Sequence, residues 1–270
     1  MLAFHRDVMQ LMADVAAAEI VPRFRNLAAD DVRQKGKPWD LVTTADVIAE
    51  QRLSEGLSRI VPGSVVVGEE SASEDAEVID RLKGSAPVWL IDPVDGTNNF
   101  VHGQPCFAVV VAFCLEGETR AGWLLDPLSQ VVVWAEAEEG ARRTTRATED
   151  RLNLSEKRFI DMTGALPFRM KERLLAVQAT YGGVPCRFTR LGSAGREYME
   201  MASGGLDFAL YGRLKPWDHA AGVLIHEEAG GFGRLRPGEE RYRPGEGIID
   251  KTLLLAPTPA VWTALDRLLG

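Results

Sequence analysis

Cysteine, histidine, positive charge and long apolar runs are all in short supply in this chain, and each shortage argues against a class of protein. The three cysteines, Cys106, Cys114 and Cys186, form no CxxC pair. That argues against a disulfide framework or a thiolate zinc site, and two of the three lie in apolar, strand-like sequence and read as small core residues. An odd cysteine count without a signal peptide leads to the expectation of a reducing, cytoplasmic setting. The four histidines, His5, His102, His219 and His226, supply no metal-site spacing. No stretch approaches the roughly 18 uninterrupted apolar residues of a membrane span. The opening "MLAFHRDVMQLMADVAAAEIVPRF" is broken by His5, Arg6, Asp7, Asp14 and Glu19, so it reads as an amphipathic helix rather than a targeting segment. Finally, 31 Lys and Arg stand against 39 Asp and Glu, a net charge of -8, with no basic, aromatic-rich patch. A nucleic-acid partner is not expected, because phosphate-backbone affinity comes from clustered cations. A small anionic substrate is still allowed, since a bound metal reverses the local sign.

What is present is a layered mixture of strands and helices. After the first helix comes the polar loop "RQKGKPWD", with Gly36 and Pro38. A second helix is predicted from Thr44 or Asp46, with apolar positions at Val47, Ile48, Leu53, Leu57 and Ile60, closed by Pro62-Gly63. "SVVVGEES" and "APVWLIDP" are short apolar runs that end in acids, and residues 106–136 read as a three-stranded meander. The charged segment 141–158 is the expected seam between an N-terminal α+β lobe (1–140) and a C-terminal α/β lobe (141–270). In the second lobe, weaker strands alternate with helical patterns, among them "SAGREYMEMASGG", "LDFALYG", "WDHAAGVLIHEEAGG" and "TPAVWTALDRLLG".

The acids sit at element ends. Glu69-Glu70 follows "SVVVG", Asp92 and Asp95 follow "VWLI", and Asp218 opens the helix-like "AAGVLIHEEAGG". Each has an ordinary explanation on its own: Asp-Pro and Asp-Gly make turns, Asp218 suits a helix N-cap, and Glu69-Glu70 suits a solvated pair. Convergence is another matter, because two like charges 4 Å apart repel by about 4 kcal/mol at an effective dielectric near 20. Hard divalent cations relieve such a cluster, and an all-oxygen set favours Mg²⁺ or Mn²⁺ over Zn²⁺. Gly96-Thr97 follows directly, a close-approach glycine and a hydroxyl where backbone amides can cradle an anion. Metals, an anion cradle and a hydroxyl together suggest metal-assisted transfer of a phosphoryl group to water.

These residues carry a resemblance. "WLIDPVDGTNNFVHG" with "PWDHAAGVLIHEEAGG", and "VVVGEES" before them, resembles the signature motifs of the inositol monophosphatase family over most of the chain and in the same order. The resemblance implies a five-layered αβαβα sandwich of the inositol monophosphatase and fructose-1,6-bisphosphatase type. It also implies Mg²⁺-dependent phosphomonoesterase activity, often lithium-sensitive, and a homodimer. Carried over, Glu69, Asp92 and the Val94 carbonyl would hold one ion, and Asp92, Asp95 and Asp218 a second. A weaker third would rest on Glu69 and waters. Thr97 and Asp46 would orient the attacking water, while Gly96 and Thr97 amides would bind phosphate. Gly192, Ser193 and Ala194 would line the substrate pocket together with Asp95 and Asp218, and Lys35 occupies the family's mobile-loop position.

The sequence departs from the inositol-specific pattern before the second motif, where a Glu is usual and "ALYGRLKPWD" offers Tyr211, Gly212, Arg213 and Lys215. Arg213 and Lys215 are either solvated loop charges or a preference for a more anionic substrate. "EEGARRTTRATEDRLNLS" also departs from the family's glycine-rich turn. Inositol 1-phosphate is the default substrate, with histidinol phosphate, fructose 1,6-bisphosphate and 3′-phosphoadenosine nucleotides as alternatives. Two other classes stay open: a regulatory protein on this fold that binds a macromolecule, and a cation-binding protein without phosphate chemistry.

Overall fold

The amphipathic opening folds as a helix that changes pitch. Helix α1 spans His5–Val15, Ala16–Ile20 widens into a π turn, and Val21–Arg23 tightens into a 3-10 turn. Pro22 accounts for the tightening, since it has no N–H to offer the carbonyl four residues back. The helical path therefore ends at Arg23. The computed structural model describes residues 2–35, 41–155 and 157–270, so Gly36 and Pro38 of the expected polar loop lie outside the described residues.

Strands β1 (Val32–Gln34) and β2 (Leu41–Thr43) pair antiparallel and lead into helix α2, Thr44–Ile60. Its start is fixed by Thr43, whose hydroxyl accepts from the Ala45 amide at 3.2 Å while Asp46 Oδ2 accepts the Thr43 amide at 2.8 Å. This reciprocal cap satisfies backbone donors that the helix itself cannot.

A seven-stranded sheet follows. Its strands are β3 (Val65–Gly68), β4 (Val88–Asp95), β5 (Ala108–Leu115), β6 (Glu118–Asp126), β7 (Val131–Glu136), β8 (Gly140–Thr144) and β9 (Glu149–Arg151), in that spatial order. Only the β3–β4 pair is parallel. The expected meander is β5–β6–β7. The hairpin β8–β9 lies inside the segment read as a seam and carries this sheet to Arg151. Short helices α3 (Glu69–Glu74) and α4 (Thr97–Val101) leave the ends of β3 and β4.

The second sheet has five strands in the order β11–β10–β12–β14–β13: β10 (Thr163–Ala165), β11 (Arg187–Phe188), β12 (Phe208–Leu214), β13 (Phe232–Arg236) and β14 (Ile249–Ala256). Helices α5 (Phe168–Tyr181), α6 (Ala194–Ala202), α7 (Pro216–Glu228) and α8 (Pro259–Leu269) complete the chain. The strand-and-helix patterns read from the sequence correspond to α6, β12, α7 and α8, whereas β10, α5, β11, β13 and β14 match none of them.

Three cores bind five layers. Val8, Met12, Leu53 and Leu57 of α1 and α2 pack on Trp89, Trp123 and Trp134 of the first sheet. Its other face, with Val110, Leu124 and Val133, meets Tyr198 and Met201 of α6, Ala221 and Ile225 of α7, and Ala209 and Leu253 of the second sheet. Beyond that sheet, Phe208, Leu210 and Leu254 pack on Leu174 of α5 and Trp262 and Leu265 of α8. The order is thus α1/α2, sheet, α6/α7, sheet, α5/α8, the αβαβα sandwich that the resemblance implied. Burying each large apolar side chain contributes about 1.5–3 kcal/mol. α7 is apolar nearly all round because sheets cover it on both sides. Gly122 of β6 allows that closeness, since a Cβ there would stand 2.6 Å from the Ala221 Cα.

Candidate active site

Asp92 and Asp95 lie within β4, not beyond its end as the sequence suggested, and a bulge makes them neighbours. Three apart, two residues of a regular strand point to opposite faces. Here Asp92 pairs with Val110 and Asp95 with Ala108, so β4 spends one residue more than β5 over the same stretch. Pro93, which has no ladder donor, sits in the extra length. The extra residue puts both carboxylates on the face that meets α6 and α7.

The other acids arrive from the starts of helices. Glu69 opens α3, and Asp218 lies in the first turn of α7, which begins at Pro216 after an extended Lys215. Oxygens of Glu69, Asp92 and Asp218 lie within 4.8 Å of one another. Asp218 Oδ1 is buried without a hydrogen-bond partner. Burial, and then the charges of Glu69, Asp95 and Asp218, push Asp92 well above the carboxylate range. Burial acts the same way on Asp218, against the pull of Lys215. Glu69 is held below its usual value: burial would raise it, but the ammonium groups of Lys215 and Lys35 outweigh this. Three hard oxygen donors with an orphaned carboxylate oxygen fit a divalent ion such as Mg²⁺ or Mn²⁺.

Asp95 stands apart from this trio. Its Oδ2 accepts from the Ser193 hydroxyl and from the Gly195 amide at 2.6 Å, and its Oδ1 from the Ala194 amide at 3.1 Å. Asp95 thereby clamps the first turn of α6, where Ser193 is the N-cap. Burial still raises its pKa to about 6 against these bonds. Expected among the ligands of a second ion, Asp95 keeps Oδ1 as its less committed oxygen.

Behind the acids lies a hydroxyl–carboxylate pair. Thr97 Oγ1 lies 3.1 Å from Asp46 Oδ1 and 3.0 Å from the Val94 carbonyl, with one proton to donate to either. Burial raises Asp46 to about 6, although the Thr43 hydroxyl and amide pull the other way. Gly96, at φ +95°, heads α4, and a Cβ there would stand 3.0 Å from Ser193 Cβ and 3.1 Å from the Cys106 carbonyl. Only glycine fits both the left-handed backbone and this space. Gly192, at φ +72°, lies against Asn99, whose Nδ2 donates to the Leu191 and Cys106 carbonyls, each at 2.7 Å. The structure thus brings Asp46, Glu69, Asp92, Val94, Asp95, Gly96, Thr97, Gly192, Ser193, Ala194 and Asp218 to one region.

The two basic residues considered from the sequence separate. Arg213 is exposed, at φ +52° in a bulge of β12, with no ion pair or hydrogen bond among the described residues. Lys215, by contrast, donates to Glu69 Oε1 at 2.9 Å. Lys35 donates to Glu70 Oε1 at 2.6 Å and stands 3.6 Å from Glu69 Oε1. Tyr211, near where the family's Glu is usual, is buried and stacked on Tyr198, so it presents no carboxylate.

Sequence reasoning missed three supports. Glu50 accepts the Glu70 and Ser71 amides at 2.7 and 2.8 Å and so holds the start of α3. Its signal was an acid on the α2 stripe that also carries the buried Asp46, Leu53 and Leu57. Thr43 was legible in the Thr-x-x-Asp capping spacing. Asn99, which joins α4 to the loop before α6, had no local signal.

Known proteins resemble this chain in sequence and in fold. Residues 5–262 match the family model described as the inositol monophosphatase family. A Thermotoga maritima protein named fructose-1,6-bisphosphatase/inositol-1-monophosphatase is 32% identical over 210 residues, 75% of this chain and 74% of its own. An inositol-1-monophosphatase of Caulobacter vibrioides is 34% identical over 227 residues, 80% of this chain and 83% of its own. A Pasteurella multocida protein named Nus factor SuhB is 34% identical over 200 residues, 72% of this chain and 71% of its own. A solved Thermotoga maritima IMPase shares the fold at a TM-score of 0.80 and 24% identity, covering 100% of both chains. The chain belongs to the inositol monophosphatase family, whose members are phosphatases.

Proposed function

We propose that this protein is a Mg²⁺-dependent phosphomonoesterase of a small phosphorylated metabolite, with Mn²⁺ as a substitute and inositol 1-phosphate as the first substrate to test. The observation that carries this reading is the meeting of Glu69, Asp92 and Asp218 within 4.8 Å in front of the Thr97–Asp46 pair. Glu69, Asp92 and the Val94 carbonyl are the proposed holders of one ion, and Asp92, Asp218 and Asp95 Oδ1 of a second. Bound there, the ions would acidify a water and neutralise charge on the phosphate and the departing alkoxide oxygen.

The chain's own residues do the rest. Thr97 Oγ1 accepts a hydrogen bond from the water and aims it, while its own proton points to Asp46 Oδ1. Asp46, raised to about 6 by burial, is basic enough to take the proton that passes through this hydroxyl. Gly96 and Thr97 amides at the head of α4 receive the phosphate oxygens. Gly192, Ser193 and Ala194 line the pocket for the rest of the substrate, and Asp95 holds them there through Ser193. Arg213, exposed and without an ion pair among the described residues, is the proposed contact for an anionic group on the substrate.

The test is phosphate release by purified protein, with Mg²⁺ and with chelator. The panel holds inositol 1-phosphate, histidinol phosphate, fructose 1,6-bisphosphate and 3′-phosphoadenosine 5′-phosphate, with Asp92→Asn as the blank. Mg²⁺-dependent turnover of one member far above the blank supports the reading; turnover that survives chelation or equals the blank defeats it. A second, regulatory reading draws on the relative named Nus factor SuhB. It requires a macromolecular partner whose binding survives Asp92→Asn. A homodimer and a cytoplasmic setting belong to the same proposal, the first checked by light scattering in solution. Among the described residues, no helix is long and apolar enough to cross a membrane.

A further inference from the structure

Two ammonium groups from unrelated elements stand within 4 Å of one oxygen of the acidic cluster, Lys35 while hydrogen-bonded to Glu70. Lys215 Nζ lies 2.9 Å and Lys35 Nζ 3.6 Å from Glu69 Oε1. Lys35 follows β1, and Lys215 immediately precedes α7. The Lys215 side chain is only 30% exposed, too little for a solvated loop charge. Its ammonium stands 5.6 Å from the centre of the Trp217 ring. Pro216 fixes the backbone after it, and the Lys215 carbonyl accepts the Asp218 amide at 3.2 Å. A single helix start therefore delivers a carboxylate and a cation to the same cluster.

We propose that Lys215, assisted by Lys35, is a built-in counter-cation of this cluster that limits how many divalent ions it takes and how tightly. The inference rests on the phosphatase reading above, in that Glu69 is a metal ligand. A divalent ion on Glu69 would meet an ammonium already on Oε1, and would either share the carboxylate with it or expel the lysine. Either route weakens its binding: sharing sets the ion against an ammonium at short range, and expulsion breaks the Lys215–Glu69 ion pair. In exchange, the metal-free site keeps Glu69 held beside Asp92. Lys215 is therefore a positioning residue that acts through Glu69.

The experiment is titration of metal-free protein with Mg²⁺ by calorimetry, and with Mn²⁺ by electron paramagnetic resonance to count bound ions. It compares wild type, Lys215→Met and Lys215→Arg. Methionine retains an unbranched stem over Trp217 without the charge. It is expected to tighten Mg²⁺ binding by about tenfold or more, or to add one Mn²⁺ per chain, while Lys215→Arg stays within about threefold of wild type. Lys35→Met, which unloads the same oxygen from another element, should move affinity in the same direction and serves if Lys215→Met does not fold. Unchanged or weaker metal binding in a folded methionine variant overturns the lysine's role and leaves the phosphatase reading standing. If the wild type binds no divalent ion at millimolar concentration, the phosphatase reading fails, and this inference with it.

Discussion

Asp92 is the residue on which the site turns, because it is buried, faces three other carboxylates and is driven toward its neutral form without a cation. Asp92→Asn should lower turnover at least about a thousandfold, as expected when a charge that anchors transition-state stabilisation is removed. The metal-free variant should melt no lower than wild type, since asparagine removes like-charge repulsion; a large loss of stability would show that the carboxylate is needed for the fold. A second buried group makes a pH prediction away from the acids. His226 is buried in α7 with Nε2 donating to the Ala256 carbonyl at 3.0 Å, and burial lowers its pKa from 6.5 to about 4. As pH falls, the unfolded chain takes up this proton first, so stability present above pH 6.5 is lost progressively toward pH 4. The shift corresponds to about 3 kcal/mol. Urea unfolding at pH 7 and pH 4 should show His226→Gln losing less stability over that interval than wild type.

At the scale of elements, the site is built where short helices leave strands, and each junction has its own lock. Glu50 of α2 locks the start of α3 through two amides, Asp95 of β4 locks α6, and Asn99 of α4 locks the loop before α6. Glu50→Ala leaves one buried and one half-buried amide unpaired and should cost about 1–3 kcal/mol. It should also weaken Mg²⁺ binding, since Glu69 immediately precedes those amides; an unaltered Mg²⁺ affinity would mean that β3 alone fixes Glu69. The bulge in β4 shows what pattern reading could not reach. "IDPVDG" spells the carboxylates and the proline, but whether residues three apart share a face depends on pairing with Val110 and Ala108, which lie more than a dozen residues on. For the same reason, Lys215 and Arg213 looked equivalent in sequence, and only the first turn of α7 separates them.

For the whole molecule, the five layers hold the acids in place: β3 and β4 from the first sheet, α7 from the middle layer, and Asp46 from the outer α2. A ligand that binds only the folded arrangement stabilises all of it. Mg²⁺ at a hundredfold over its dissociation constant should add about 2.7 kcal/mol, read as a rise in melting temperature that chelator reverses. Asp92→Asn should blunt that rise.

The sequence by itself determined a layered mixture of strands and helices and the residue types of the site, and its double motif carried the resemblance that implies the αβαβα architecture and the family, because apolar periodicity, the motifs and the acids at element ends are all local in the chain. It also carried the Thr43–Asp46 cap and the glycine at position 96. Tertiary structure alone decided which acids meet, that Asp95 clamps α6, that Glu50 and Asn99 brace the junctions, and that an ammonium from α7 sits on Glu69. Those outcomes depend on distances between residues 20 to 146 positions apart, which are set by sheet register and helix packing and are written in no single stretch of the chain.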